Sequence, residues 1–214
     1  MVASDRRCVI IGAAPNTSTE FIASRIGKDD YIICADGGAD RLVGSGIVPD
    51  LIIGDLDSSK SYSFFKETHI TVLPTQKDDT DTMYCTKKAL EKGFKRFLYL
   101  GATGGRIDHT LANLSVLMYL KAHGAHGMIS DEFADISLLC SGENVLSGVK
   151  GKTISIMPFA CGEVCLTYEG MFYPMLNERV TADYPFTISN VAVAESVKII
   201  LHSGTALLII VNKG

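Results

Sequence analysis

The chain has 214 residues, 47% of them hydrophobic and 21% charged, and a formal net charge of −4. That length holds one large domain, or a large one and a small one, and the composition is that of a soluble globular protein. The acidic balance gives no electrostatic case for nucleic acid or an anionic membrane surface, and no apolar run reaches the roughly 18 residues of a transmembrane helix.

From the start the pattern alternates strand and helix. Arg6-Arg7 precede an apolar stretch too short for a signal sequence, so CVIIG (8–12) reads as a first buried strand. The Thr17-to-Glu20 spacing predicts a capping box, with Phe21, Ile22 and Ile26 on one helical face and Gly27 as the stop. YIICA (31–35) is a second strand, followed by ADGGADRL and a short helix. LIIG (51–54) is a third, the segment around 61–67 is helical, and ITVL (70–73) is a fourth strand closed by Pro74. A helix from about Thr80 to Lys92 ends at Gly93, and FLYLG (97–101) is the fifth strand. The next helix carries Leu111, Leu114, Leu117 and Met118 on one face and stops at Gly124, before a sixth strand at GMIS (127–130). Strands joined by helices at this spacing predict an α/β fold, Rossmann-like and doubly wound. Its sheet is mostly parallel, with helices on both faces.

After about residue 140 the helical period disappears. KTISIMPF, EVCLTYEG, VKIIL and ALLIIV follow one another with glycine and polar turns between, and several alternate with period two. Two domains are expected, an α/β domain over 1–141 and a smaller all-β, sandwich-like domain over 142–214. Six cysteines at 8, 34, 85, 140, 161 and 165 show no CxxC spacing, so a reducing cytoplasm is the expected compartment.

The acids fall at particular places on this map. Asp36 follows the second strand, Asp55 and Asp57 the third, Asp78, Asp79 and Asp81 the fourth, and Asp108 the fifth. If the strands are parallel, these carboxylates share the carboxyl edge of the sheet, where open α/β sheets bind ligands. In an extended segment residues i and i+2 point to one side, so Asp55 and Asp57 aim at one hard cation. The alternative is a polar turn in which Asp57 caps a helix beginning near Ser58 or Ser59. Crowded carboxylates are unfavourable without a positive charge among them, and magnesium with a polyphosphate supplies one. Gly37-Gly38 and Gly104-Gly105 allow close backbone approach to phosphate, and Arg41, Lys77 and Arg106 supply cations. Neither GxxxxGK[ST] nor GxGxxG after a strand is present, so the expectation is a metal-dependent enzyme acting on a nucleotide polyphosphate. A DxD also suits a nucleotide-sugar transferase.

ADGGADRL (35–42), PDLIIGDLDS (49–58), KDDTD (77–81) and GATGGRIDHTLAN (101–113) together resemble thiamine pyrophosphokinase, in that family's order and spacing. GMFYP (170–174) and TISN (187–190) are similar to the family's C-terminal half. The resemblance implies transfer of a pyrophosphoryl group from ATP to the hydroxyethyl oxygen of thiamine, by a homodimer using Mg2+. It implies Asp55, Asp57, Asp78 and Asp81 as metal-holding residues, with Asp55, Asp57 and Asp81 at the chemistry and Asp57 or Asp81 a candidate proton acceptor. Asp36, Gly37, Gly38, Arg41, Lys77, Gly104, Arg106, Asp108 and Asn113 are implied near the nucleotide. Ser189 and Asn190 are implied at thiamine, in a cleft completed by the neighbouring subunit. No Trp is present, so an aromatic wall there comes from Tyr or Phe, with Phe186 a candidate.

Overall fold

The computed structural model describes residues 6–15, 17–54, 61–66, 68–72 and 79–212. Contacts divide the chain into two units, Met1–Glu132 and Phe133–Gly214. Among the described residues of the first, six strands lie in the order β6-β5-β1-β2-β3-β4: β1 (Arg7–Ile11), β2 (Tyr31–Ala35), β3 (Leu51–Gly54), β4 (His69–Val72), β5 (Arg96–Leu100) and β6 (His126–Ser130). All five pairings are parallel. RCVII, YIICA, LIIG and RFLYL are buried over nearly their whole length, which is why they read as continuous apolar runs in the sequence. HITV at the edge is half-exposed.

Register aligns the strand ends. Ile11 pairs with both Cys34 and Leu100, Ala35 with Ile53, and Gly54 with Val72. The carboxyl ends of these strands therefore lie along one edge of the sheet.

Among the described residues, three α-helices and two 3-10 helices connect the strands: α1 (Thr19–Arg25), α2 (Asp81–Glu91), α3 (Ile107–Ala122), and 3-10 turns at Asp36–Leu42 and Ser61–Phe64. Helix α2 matches its predicted limits. Thr80 caps it by accepting from Met83 N at 3.2 Å, and Gly93 (φ 90°) ends it with Gly93 N donating to Leu90 O and Phe94 N to Ala89 O. Other expectations are corrected. Ser18, not Thr17, caps α1: its Oγ accepts from Phe21 N at 3.2 Å. The carboxylate that a local capping box would take from Glu20 comes instead from Glu132, which accepts from both Ser18 N and Ser18 Oγ. ADGGADRL does not precede a helix; its DGGADRL part is the 3-10 helix. The helix expected around 61–67 is a single 3-10 turn over Ser61–Phe64, and Glu67 lies outside the described residues. The buried stripe of α3 is Asn113, Val116, Leu117 and Leu120, while Leu111 is exposed. A polar residue, Asn113, holds a core position there, which an apolar-only period misses.

The second unit contains two antiparallel sets of strands. One runs β12 (Asn190–Val191), β9 (Thr153–Pro158), β14 (Ala206–Val211), β7 (Ala134–Leu138); the other runs β11 (Met175–Thr181), β10 (Glu163–Glu169), β13 (Ser196–Ser203), β8 (Gly142–Ser147). Ile154, Ile156 and Leu208 from the first pack with Val164, Leu166, Ile199 and Leu201 from the second in one buried cluster, the layering of a sandwich. Strands β7, β8, β11 and β12 add to the four apolar runs visible in the sequence.

Candidate active site

Sheet order places the site. From β1 the chain winds through β2 and β3 to the β4 edge, then returns to the other side of β1 as β5 and continues outward to β6. The connections leaving β1 and β5 thus diverge, opening a crevice at the carboxyl ends of these two strands. A cavity of about 230 Å³ occupies it. Gly12, Ala13, Ala14 and Pro15 line it from β1, Gly101, Ala102, Gly104 and Arg106 from β5, Thr82 from α2, and His109 and Asn113 from α3.

The walls are mostly backbone and small side chains. Gly12 N donates to Leu100 O at 2.8 Å and Ala14 N to Gly101 O at 3.0 Å, which carries the β1/β5 pairing past the strand ends. A Cβ at Gly12 would stand 2.5 Å from Gly101 O, and one at Gly101 would stand 2.5 Å from Gly12 O. The β5 exit is fixed by side chains: Asn113 Nδ2 donates to Ala102 O at 2.7 Å, and Gly104 N donates to Thr110 Oγ1 at 3.2 Å. Arg41 Nη2 donates to Ala13 O at 3.1 Å, tying the 3-10 helix after β2 to the cavity wall.

Charge at the mouth comes from Arg106, whose guanidinium meets Asp108 through Nε at 3.1 Å and Nη2 at 2.5 Å. This partner holds the Asp108 carboxyl down at about 2, and both side chains are exposed. Gly38 is buried with no room for a side chain, since a Cβ would lie 2.0 Å from Ile11 O; Gly37 faces Ala13.

Asp36 has φ 46°, and its Cα lies 2.9 Å from where a Gly54 Cβ would be, beside the last residue of β3. Asp81 is the first residue of α2. Asp55, Asp57, Lys77 and Asp78 lie outside the described residues. Asp36 and Asp81 offer hard carboxylate oxygens, a donor chemistry that fits magnesium and not a thiophilic metal. Asp79 is engaged differently: Lys87 Nζ donates to its two oxygens at 2.9 and 2.7 Å.

Ser189 and Asn190 sit in the second unit, next to a cavity of about 550 Å³. Tyr168, Tyr173, Pro174, Met175, Glu178, Phe186, Thr187, Ile188 and Asn190 line it. Asn190 is buried and clamps GMFYP to TISN: Oδ1 accepts from Tyr173 N at 3.1 Å, and Nδ2 donates to Tyr173 O at 2.8 Å. Burial pushes the Tyr168 hydroxyl up to about 12, partly offset by its hydrogen bond with Asn190, so it stays protonated. Ser189 (φ 58°) is held by its N–H donating to Ser155 Oγ at 2.9 Å.

Residues 22–129, just over half of the chain, match the family model for thiamin pyrophosphokinase, catalytic domain. The chain belongs to the thiamin pyrophosphokinase family. The match runs from α1 to β6 and includes the β5 wall of the crevice with α2 and α3. The thiamine pyrophosphokinase of Bacillus subtilis (strain 168) is 28% identical over 186 residues, 85% of this chain and 87% of that protein. Thiamin pyrophosphokinase 1 of Caenorhabditis elegans is 22% identical, covering 94% of this chain and 86% of its own. Among solved structures, the Bacillus subtilis enzyme superposes with a TM-score of 0.87 at 24% identity, over 98% of this chain and 100% of that one. Thiamin pyrophosphokinase from Candida albicans does so at 0.80 and 18%, over 96% and 89%. At those identities the structures show a shared fold.

The Gly12–Pro15 wall was not singled out in the sequence. The rule that located the acids, polar or small residues just past a parallel strand, also applies to GAAP after the first strand.

Proposed function

We propose that the protein transfers the pyrophosphoryl group of ATP to the hydroxyethyl oxygen of thiamine, giving thiamine diphosphate and AMP. The observation that carries this reading is the crevice at the β1/β5 switch point, lined by the GATGGR segment within a family-matched domain. Parallel strands in this order, joined by crossovers that are right-handed as a rule, support a doubly wound arrangement with helices on both faces of the sheet. ATP occupies the crevice, its phosphates near Arg106 and the acidic edge. Residues 1–141 hold ATP and metal, and residues 142–214 contribute to thiamine binding and dimerisation.

Asp55, Asp57, Asp78 and Asp81 hold magnesium. When bound, the ion neutralises charge on the phosphates and favours in-line displacement. Asp81 or Asp57 takes the alcohol's proton late in the step. Arg41 and Arg106 orient the nucleotide, with Asp36, Gly37, Gly38, Lys77, Gly104, Asp108 and Asn113 around it.

Thiamine enters the cavity of the second unit near Ser189 and Asn190. Tyr173 and Phe186 offer π-faces to its cationic ring, and Glu178 offers a negative charge. Phe172, Leu176 and Tyr184 are more than 60% exposed beside this cavity, which supports a homodimer in which a second subunit covers it. Cys8, Cys34 and Cys85 are buried free thiols, in keeping with a cytoplasmic enzyme. Among the described residues no helix is long and apolar enough to cross a membrane.

The test is product analysis. AMP and thiamine diphosphate are expected only when ATP, thiamine and Mg2+ are all present. ADP as the nucleotide product overturns the pyrophosphoryl transfer, and nucleotide turnover indifferent to thiamine overturns the acceptor.

A further inference from the structure

Three of the five residues in KDDTD are acids, and Asp79 among them is paired with a lysine. Asp79 directly precedes Thr80, the N-cap of α2. An acid there is ordinarily drawn to the helix N-terminus or to a cation at the sheet edge. Instead both its oxygens are held by Lys87, which stands eight residues on, two turns down the helix. The lysine side chain runs back toward the N-terminus, as helical side chains do, and meets Asp79 outside the first turn.

Lys87 is itself anchored. Its ammonium lies 6.0 Å from the Tyr119 ring centroid on α3, and Tyr119 stacks on His123 at 4.1 Å. One cation therefore joins the acidic segment, α2 and α3. Asp81 begins α2, and Asn113 on α3 fixes the β5 exit.

We propose that Lys87 is a positioning residue for the metal-holding edge. By binding Asp79 it removes that carboxylate from the cation-facing set and fixes the path of the chain into α2, so that Asp81 stands in a constant place. It also reduces the like-charge repulsion of a triply acidic segment before any metal arrives. The inference rests on the reading of this edge as the magnesium site, and concerns a residue outside it.

The experiment compares Lys87→Met, Lys87→Arg, Asp79→Asn and Tyr119→Leu with the unaltered protein. Mn2+ binding is followed by electron paramagnetic resonance in the presence of a non-hydrolysable ATP analogue, alongside the Mg2+ dependence of AMP formation and thermal unfolding. Lys87→Met is expected to weaken Mn2+ binding about tenfold, the effect of losing a supporting partner of a metal ligand, with the KM for thiamine unchanged. Asp79→Asn is expected to do the same and Lys87→Arg to restore binding, while Tyr119→Leu lowers the unfolding temperature without touching Mn2+ affinity. Unchanged Mn2+ affinity in Lys87→Met and Asp79→Asn overturns the proposal. So does a Tyr119→Leu effect on the metal equal to that of Lys87→Met, which would make Lys87 a general staple. A loss in Asp79→Asn far beyond that in Lys87→Met would make Asp79 a ligand and overturn it too. Absence of Mg2+-dependent AMP formation in the unaltered protein is a separate result that removes the functional reading itself.

Discussion

Gly12 and Gly101 face each other across the β1 and β5 exits so closely that neither has space for a methyl group: a Cβ on either comes 2.5 Å from the other's carbonyl oxygen. The contact is backbone to backbone, so no side-chain rotation relieves it. Gly12→Ala is therefore expected to destabilise the fold by about 1–3 kcal/mol, the usual cost of overpacking. It should also raise the KM for ATP by spreading the crevice. Urea unfolding with the AMP assay checks both; a variant of unaltered stability and KM would show that the exits can move apart freely.

Asn113 is the one polar residue in the buried stripe of α3, and its amide reaches Ala102 O at 2.7 Å. Asn113→Leu keeps the bulk and removes the donor, leaving a buried carbonyl unpaired at a cost of about 1–3 kcal/mol. The β5 exit then loses its tie, and ATP binding should weaken with it. Calorimetric titration of an ATP analogue against the variant, compared with its unfolding midpoint, separates the two losses.

These two residues also show what the sequence could convey. Buried parallel strands announce themselves as unbroken apolar runs, so the strands and their shared carboxyl edge were readable without coordinates. The place of Asn113 in the buried stripe of α3 was not, because a buried polar residue looks like an interruption of the apolar face; the period then fell on Leu111, which is exposed. Strand β11, MLNERVT, is exposed along most of its length and so lacks both an apolar run and a clean alternation. The α1 cap depended on Glu132, which no local spacing reveals. Local chemistry was legible; partners more than a hundred residues away were not.

Asp108 gives a prediction in pH. The guanidinium of Arg106 holds its carboxyl at about 2, well below the ordinary 3.8. A depressed carboxylate contributes its ion pair fully above the ordinary value and loses it only as pH falls through about 2. An acid limb in activity between pH 4 and 6 would therefore not belong to Asp108. Arg106→Gln should return the carboxyl toward its ordinary value, as followed by carbon-13 NMR of the side chain. An unmoved titration would mean that Arg106 is not the cause.

Asp81 offers the sharpest separation of fold from chemistry. As the first residue of α2 it interacts favourably with the helix dipole, worth about 0.3–1 kcal/mol. Asp81→Asn keeps the volume, forfeits at most that much stability, and removes one carboxylate from the proposed metal set. Turnover should fall by about 10²-fold or more, in the range found when a preorganised electrostatic partner is deleted. Mn2+ should bind more weakly, and the unfolding midpoint should barely move. A variant that loses stability while each folded molecule keeps its activity would make Asp81 a helix-starting residue and nothing more.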